Sequence, residues 1–568
     1  MKFLRALLVA VATPDTLWVR VPRADARRSP RGGRLPSVST LANAAVLAAL
    51  ALLALWLLGL QEDLAVPAVP PGTRSVAALG VLLAYAGLCL RARPRRAARI
   101  APASASATGV LVVHASQTGF ASELAARTAA LLTGAGQAPR VAALGEVDAR
   151  LLAQTTRLLL IASTTGEGDA PDPALPFVRD VLGTRPALAQ LKYAVLALGD
   201  QSYTNYCAFG RRLDAWLGAC GAQALFERIE VDDGDAAALG QWQARVRALA
   251  EVARPPAWDE PRFMRWSLRE RRLLNPGSAG TACYHLALAP PPGVQVNWQA
   301  GDVAVVAPRN APEAVHAWLR ESGFDAAAPV ASADGSGTLA ELLSRSILPP
   351  VAQVVDCSVA ALAERLRPLG QREYSVASLP ADGQLDLLVR HSLRPDGSPG
   401  VGAAWLTVHA ALGATIELRL RSNPNFHLAD DARPLILIGN GSGMAGLRSL
   451  LKQRIARGQR RNWLLFGERN ASCDFHYGED ILRWRGEGFL DRLDLAFSRD
   501  QAERVHVQDR LRAVAPLLRA WIDAGAAIHV CGSREGMAPG VEAVLVESIG
   551  RAGVDHLMAT GRYRRDVY

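Results

Sequence analysis

Three short stretches, His114-Ala-Ser-Gln-Thr-Gly-Phe-Ala121, Ser163-Thr-Thr-Gly-Glu-Gly-Asp169 and Leu198-Gly-Asp-Gln-Ser-Tyr203, each close an apolar run and carry side chains suited to one ligand. In the first, Ser116, Gln117, Thr118 and Gly119 run into a helical pattern at Phe120 and Ala121. Hydroxyls and backbone N–H groups therefore gather where an anion meets a helix N-terminus. In the second, Ser163, Thr164 and Thr165 add hydroxyls, while Gly166 and Gly168 let the backbone approach a planar ring. In the third, Leu198 and Gly199 lead to Tyr203, with Tyr206 just beyond, and offer aromatic faces for stacking. A hydroxyl residue at a helix start is by itself a cap more often than a phosphate site. Three such loops in order, each at the carboxyl end of a strand in a doubly wound sheet, converge on one ligand. Together they read as a flavin cradle, and so as a carrier of single electrons.

A second group of residues lies downstream. In Arg372-Glu-Tyr-Ser375, Arg372 and Tyr374 fall on one face of a strand, so a cation meets a pyrophosphate while a ring stacks beside a flavin. Ser375 has the opposite parity, but at a strand end its hydroxyl turns toward the flavin N5 edge. Gly400, Val401, Gly402 and Ala403 form a glycine-rich start to a helix, another anion seat. Taken alone, the first of these stretches reads equally well as an ordinary strand with an exposed Arg.

A third group follows the strand Pro434–Ile438. Gly441, Ser442 and Gly443 lie in a glycine turn leading into a helix from Gly446 to Arg457, where a backbone approaches a diphosphate. Ser498, Arg499 and Arg504 are placed to surround a 2′-phosphate, which makes NADPH the expected donor, and His506 and Gln508 follow in the same run. On the bland reading these arginines are a solvated rim. Cys531 ends a further strand, and Tyr568 is an aromatic last residue.

These groups need elements to position them. The pattern predicts an α/β multidomain chain: a flavodoxin-like doubly wound domain over 108–252, an antiparallel β-barrel domain over 257–430 with a helical insert at 310–360, and an α/β nucleotide-binding domain over 431–568. Ala101–Thr108 is small and unstructured, a tether. Residues 1–100 predict a membrane hairpin. Thr40–Leu60 is 21 residues without a charge, and Ser75–Leu90 is a shorter second span. Arginines crowd both outer flanks, so the positive-inside rule puts both ends in the cytoplasm: an inner-membrane protein with its flavin domains facing the cytoplasm and membrane lipid as a partner. A cleavable signal peptide is the rival reading of the first run.

The net charge of +10 over 568 residues is largely juxtamembrane arginine and suits anionic lipid, not nucleic acid. The seven cysteines form no metal spacing, so no metal site is expected. None of the ten histidines falls in either apolar run, so the hairpin reads as an anchor and not as a haem clamp.

The three loops resemble the flavodoxin family, which implies FMN, with Ser116 to Ala121 on its phosphate and the other two loops flanking the ring. Residues 372–375 and 400–403 resemble the FAD domain of the ferredoxin reductase type. Ser498 to Gln508 resembles the 2′-phosphate site of NADPH-dependent diflavin reductases. From Thr108 to Tyr568 the chain resembles that family in order. Four positions depart from it: Thr165 where an aromatic is common, Ala403 for Ser or Thr, His506 for Tyr, and Gly446 for Pro. The resemblance implies transfer of a hydride from NADPH to FAD, then of single electrons through FMN to a one-electron acceptor protein. It implies Ser375, Cys531 and Asp566 as the hydride-transfer set, and Tyr568 as a ring that covers FAD and swings away. A membrane hairpin favours a haem protein acceptor, as in a haemoprotein reductase. The alternatives are the flavoprotein component of NADPH-sulfite reductase and a dependent subunit of a membrane reductase such as a ferric-chelate reductase.

Overall fold

The computed structural model describes residues 109–568 except 202, 251–261, 333–334, 392, 394–396 and 398. The expected membrane segments at 40–60 and 75–90, and the tether, lie outside the described residues. Among the described residues no helix is long and apolar enough to cross a membrane. The longest, Met537–Ala559, is broken at Gly550, whose φ of 73° leaves the helical region, and it packs Val541, Val544 and Leu545 into a protein core.

The first sheet is built from β1 (Val110–Ala115), β2 (Arg140–Ala143), β3 (Arg157–Ser163), β4 (Lys192–Gly199), β5 (Gln223–Ala224) and β6 (Ile229–Asp232). All pairs are parallel in the order β2-β1-β3-β4-β5, with β6 also on β4. The order is the doubly wound one expected. The continuous apolar runs of β1, β3 and β4 require cover on both faces, as parallel sheets do. Leu124 and Leu132 from the helix Phe120–Gly134 pack on one side, and Phe209 and Leu213 from Ala208–Ala219 on the other.

The second sheet is antiparallel, as the alternating runs predict. It comprises β7 (Met264–Leu273), β8 (Cys283–Ala289), β9 (Val303–Val306), β12 (Arg372–Ser375), β13 (Leu385–Arg390) and β14 (Thr415–Arg421), in the order β12-β9-β14-β7-β8-β13. An antiparallel bridge from Val376 to Leu387 brings its two outer strands together and closes it toward a barrel. The insert between β9 and β12 differs from the helical expectation. A hairpin of β10 (Pro329–Ser332) and β11 (Gly335–Thr338) lies between the helices Pro312–Ser322 and Leu339–Ser344, and a third helix, Val359–Arg365, follows. Gly335 and Gly337 disfavour helix there, and Thr338 starts the next helix through a capping box with Glu341.

The third sheet is parallel, ordered β17 (Arg492–Phe497), β16 (Asn462–Glu468), β15 (Leu435–Asn440), β18 (Ala527–Gly532), β19 (Tyr563–Val567). The glycine turn after β15 is a single 3₁₀ turn, Gly441–Gly443, and the helix Met444–Ala456 starts two residues before the expected Gly446. The chain end is an edge strand, in register so that Asp566 faces Cys531.

Candidate functional site

Three elements from two sheets meet at one buried point. Ser375 ends β12, Cys531 lies on β18, and Asp566 lies beside it on β19. Ser375 Oγ donates to Asp566 Oδ2 at 2.7 Å, and Cys531 Sγ lies 3.7 Å from the same oxygen. All three side chains are buried. Burial pushes the Asp566 carboxyl up from its ordinary value, against the pull of the Ser375 and Cys531 hydrogen bonds. Burial, with Asp566 beside it, also pushes the Cys531 thiol well up. The sulfur is therefore a thiol at neutral pH, a donor and packing group. Gly446 is the wall of this point: a Cβ there would lie 3.1 Å from Cys531 Sγ and 3.2 Å from the Phe426 ring.

Tyr568 follows directly. Its N–H donates to the Gly532 carbonyl and its own carbonyl accepts from Arg534 N–H, each at 3.1 Å, while the residue stays 55% exposed. The backbone is held at both groups, and the phenol has Ser442 and Ser375 as hydrogen-bonding neighbours.

The three N-terminal loops line one cavity of about 2270 Å³, together with Arg419 and Arg421 from β14 and Arg565 from β19. Ser116 Oγ accepts from Gly119 N–H at 3.0 Å, and Gly119 takes a φ of 93°. A Cβ at Gly119 would fall 2.3 Å from the Ser422 carbonyl oxygen, so only glycine permits this approach. Thr164 N–H donates to the Leu198 carbonyl at 2.9 Å, tying the second loop to the third, and Thr164 Oγ1 is buried with no hydrogen-bond partner. Ser163 closes β3 ahead of it, and Thr165 and Asp169 bond each other across the turn at Gly166 and Gly168. Tyr203 and Tyr206 line the same space. Gly199 admits the Tyr206 ring, which a Cβ would meet at 2.9 Å.

On β12, burial rises along the strand: Arg372 and Glu373 are exposed, Tyr374 is half-buried and Ser375 buried. Burial raises the Tyr374 phenol to about 12. Gly402 packs on the Arg372 stem, with a Cβ position 2.5 Å from Arg372 Cγ. The structure thus brings the turn Gly400–Ala403 to Arg372. Val401–Ala404 is helical and runs on as a wider turn to His409.

The glycine turn at Gly441, Ser442 and Gly443 abuts β18: a Cβ at Gly443 would lie 2.1 Å from the Cys531 carbonyl oxygen. Ser498 follows β17, and Arg499 and Arg504 are exposed and join no ion pair among the described residues. His506 caps the helix Val507–Ala513, its N–H donating to Asp509 Oδ2 at 2.8 Å. Gln508, on that helix, lies against Gly540.

Sequence reasoning missed the residues that hold the first sheet to the other two. Arg421 donates to the Thr118 carbonyl at 3.1 Å and to Thr118 Oγ1 at 3.2 Å, and forms a bidentate pair with Glu373. Asn425 Nδ2 donates to the Ser116 and Gln117 carbonyls at 2.8 and 3.1 Å. Arg565 pairs with Asp172. The available signal was the polar run Ser422-Asn-Pro-Asn425 directly after the strand Thr415–Arg421.

Comparison with known proteins bears on the whole arrangement. The flavodoxin family model matches residues 112–242, and the oxidoreductase NAD-binding domain model matches residues 437–543. The chain is similar to the sulfite reductase [NADPH] flavoprotein alpha-component of Neisseria meningitidis serogroup C (strain 053442), 32% identical over 540 residues, covering 81% of this chain and 89% of that protein. The protein of that name from Shewanella sp. (strain MR-7) is 30% identical over 84% of this chain and 92% of its own length. The one from Vibrio cholerae serotype O1 (strain ATCC 39541) is 30% identical over 82% and 88%. The expected inner-membrane localisation is corrected by the relatives, and the described residues, which leave out 40–60 and 75–90, add no span. No helix among the described residues is long and apolar enough to cross a membrane, and relatives spanning four-fifths of the chain are named as a flavoprotein component of sulfite reductase. Membrane lipid as a partner has no support among the described residues. FMN, FAD and NADPH are the cofactors these matches support, and the chain belongs to the NADPH-dependent diflavin reductase family.

Proposed function

We propose that this chain is the electron-donating flavoprotein of an NADPH-dependent sulfite reductase, delivering single electrons to a haem protein partner. The printed names of the relatives favour this acceptor over the other haem proteins that the sequence alone left open. The observation that carries the reading is the convergence of Ser375, Cys531 and Asp566 on one carboxylate oxygen. The bound flavins and nicotinamide supply the redox chemistry, taking a hydride in and letting electrons out singly.

The residues present fit those groups. The orphaned Thr164 hydroxyl facing the cavity suits a flavin edge. Ser116 to Ala121 hold the FMN phosphate at a helix start, with Ser163 to Gly168 and Leu198 to Tyr206 flanking its ring. Arg372 and the turn Gly400–Ala403 hold the FAD pyrophosphate, and Tyr374 stacks beside its ring. Gly441 to Gly443 admit the nicotinamide diphosphate. Arg499 and Arg504, exposed and without an acidic partner among the described residues, would hold the 2′-phosphate with Ser498, His506 and Gln508. In the hydride pocket Asp566 would face the charge on a bound nicotinamide, with Ser375 fixing that carboxylate and the Cys531 thiol beside it. Tyr568 excludes water from the pocket until it turns aside.

The test is reconstitution. Mixed with a sirohaem protein and NADPH, the chain should drive reduction of sulfite to sulfide. Cytochrome c reduction without any transfer to a sirohaem partner would move the proposal to another haem acceptor.

A further inference from the structure

The last residues of the chain serve two sites, one on each face of β19. Asp566 points to Ser375 and Cys531. Its neighbour Arg565 points the other way, as strand alternation demands, and reaches the stretch that follows the second loop. Arg565 Nε donates to Asp172 Oδ2 at 2.7 Å, a second guanidinium nitrogen bonds Asp172 Oδ1, and the third donates to Glu542 Oε2 at 2.6 Å. The Arg565 carbonyl accepts from Gln117 Nε2 at 3.2 Å, and Gln117 Oε1 in turn accepts from Asp172 N–H at 2.9 Å. The ion pair is one-fifth exposed or less, which shields it from the screening that weakens surface pairs. Glu542 comes from the same half of the chain as Arg565, so the fork is already aimed before Asp172 meets it. A second contact runs parallel. Arg534, whose N–H holds the Tyr568 carbonyl, places its guanidinium 4.7 Å from the centroid of the Tyr203 ring.

We propose that Arg565 is a positioning residue for electron transfer between the flavins: paired with Asp172 and steadied by Glu542, it sets where the β1–β6 sheet docks against the strand that carries Asp566. This rests on the electron route proposed above. In that route Arg565 lines the cavity of the three N-terminal loops and faces away from Ser375 and Cys531, so hydride transfer does not depend on it.

The experiment uses the full chain loaded with both flavins. Arg565→Ala and Arg565→Lys are compared with the parent by small-angle X-ray scattering and by anaerobic mixing with NADPH, following separately the reduction of FAD and the arrival of electrons at FMN. For Arg565→Ala the expected result is a larger scattering radius and FMN reduction slowed about tenfold or more, as loss of one bidentate charged contact implies, with FAD reduction unchanged. Arg565→Lys should recover part of both. Asp172→Asn, which leaves Arg565 on Glu542, should repeat the effect from the other side and covers the case in which the alanine variant fails to fold. Unaltered scattering and unaltered FMN reduction in a flavin-replete Arg565→Ala or Asp172→Asn protein would overturn the role of Arg565. A parent protein that passes no electron to a second flavin overturns the route itself, and the proposal with it.

Discussion

Cys531 and Asp566 face each other in register across β18 and β19, with Sγ 3.7 Å from the carboxylate oxygen that also accepts the Ser375 hydroxyl. A carboxylate buried this deeply is costly without an opposite charge. The Arg421 guanidinium pulls against that cost, and under the proposed function Asp566 would also face the positive charge a nicotinamide acquires as it gives up a hydride. Asp566→Asn removes the negative end of that interaction and keeps the shape. Reduction of FAD by NADPH, followed by rapid mixing, should slow about a hundredfold, while flavin content and circular dichroism stay as in the parent. A parent-like rate would remove Asp566 from the hydride set.

Arg499 and Arg504 are exposed and join no ion pair among the described residues, so their substitution costs the fold little. Arg499→Ala or Arg504→Ala should raise KM for NADPH about ten- to a hundredfold, the loss of one charged contact to phosphate. KM for NADH, which has no 2′-phosphate, should not move. An equal rise for both nucleotides would place these arginines elsewhere.

The Tyr568 backbone is held at Gly532 and Arg534, and its phenol has Ser442 and Ser375 as hydrogen-bonding neighbours. Displacing its ring is a cost that both nucleotides meet and that the weaker binder meets least well. Tyr568→Ala should therefore raise NADH use relative to NADPH, read as the ratio of kcat/KM values. An unchanged ratio counts against a gating ring.

Glu468 ends β16 beneath the glycine turn. Burial pushes its carboxyl up, but His476, with Nε2 3.7 Å away, and the Arg390 guanidinium outweigh that and hold it at about 2. A carboxyl whose folded value is depressed adds stability above its unfolded value of 4.5, and that stability is lost as pH falls from 4.5 toward 2. The contribution is on the order of 3 kcal/mol. Urea unfolding from pH 6 down to pH 3 should show a steeper loss in the parent than in Glu468→Gln. Parallel curves would mean that the buried pair adds nothing.

What was legible in the sequence was what local pattern encodes. The strand-end loops at Ser116, Thr164 and Tyr203, the glycine turn at Gly441 and the strand Arg372–Ser375 carry their signals in a few adjacent residues, and the structure brings them to one cavity or one buried point. Contacts between distant segments left no such trace. Arg565 and Asp172 are 393 positions apart, and Arg421 and Thr118 are 303 apart. Each is an ordinary charged or polar residue until three sheets are assembled. The hairpin at Pro329–Thr338 was missed because the apolar content around it reads as helix, and the glycines that break it are few.

The account stands on one chain holding two different flavins, so that a pair of electrons taken in together leaves singly. The direct measurement is to release the flavins from the gently purified full chain and separate them. FMN and FAD in equal amounts, one of each per chain, is the expected result. A single kind of flavin, at any saturation, would contradict it.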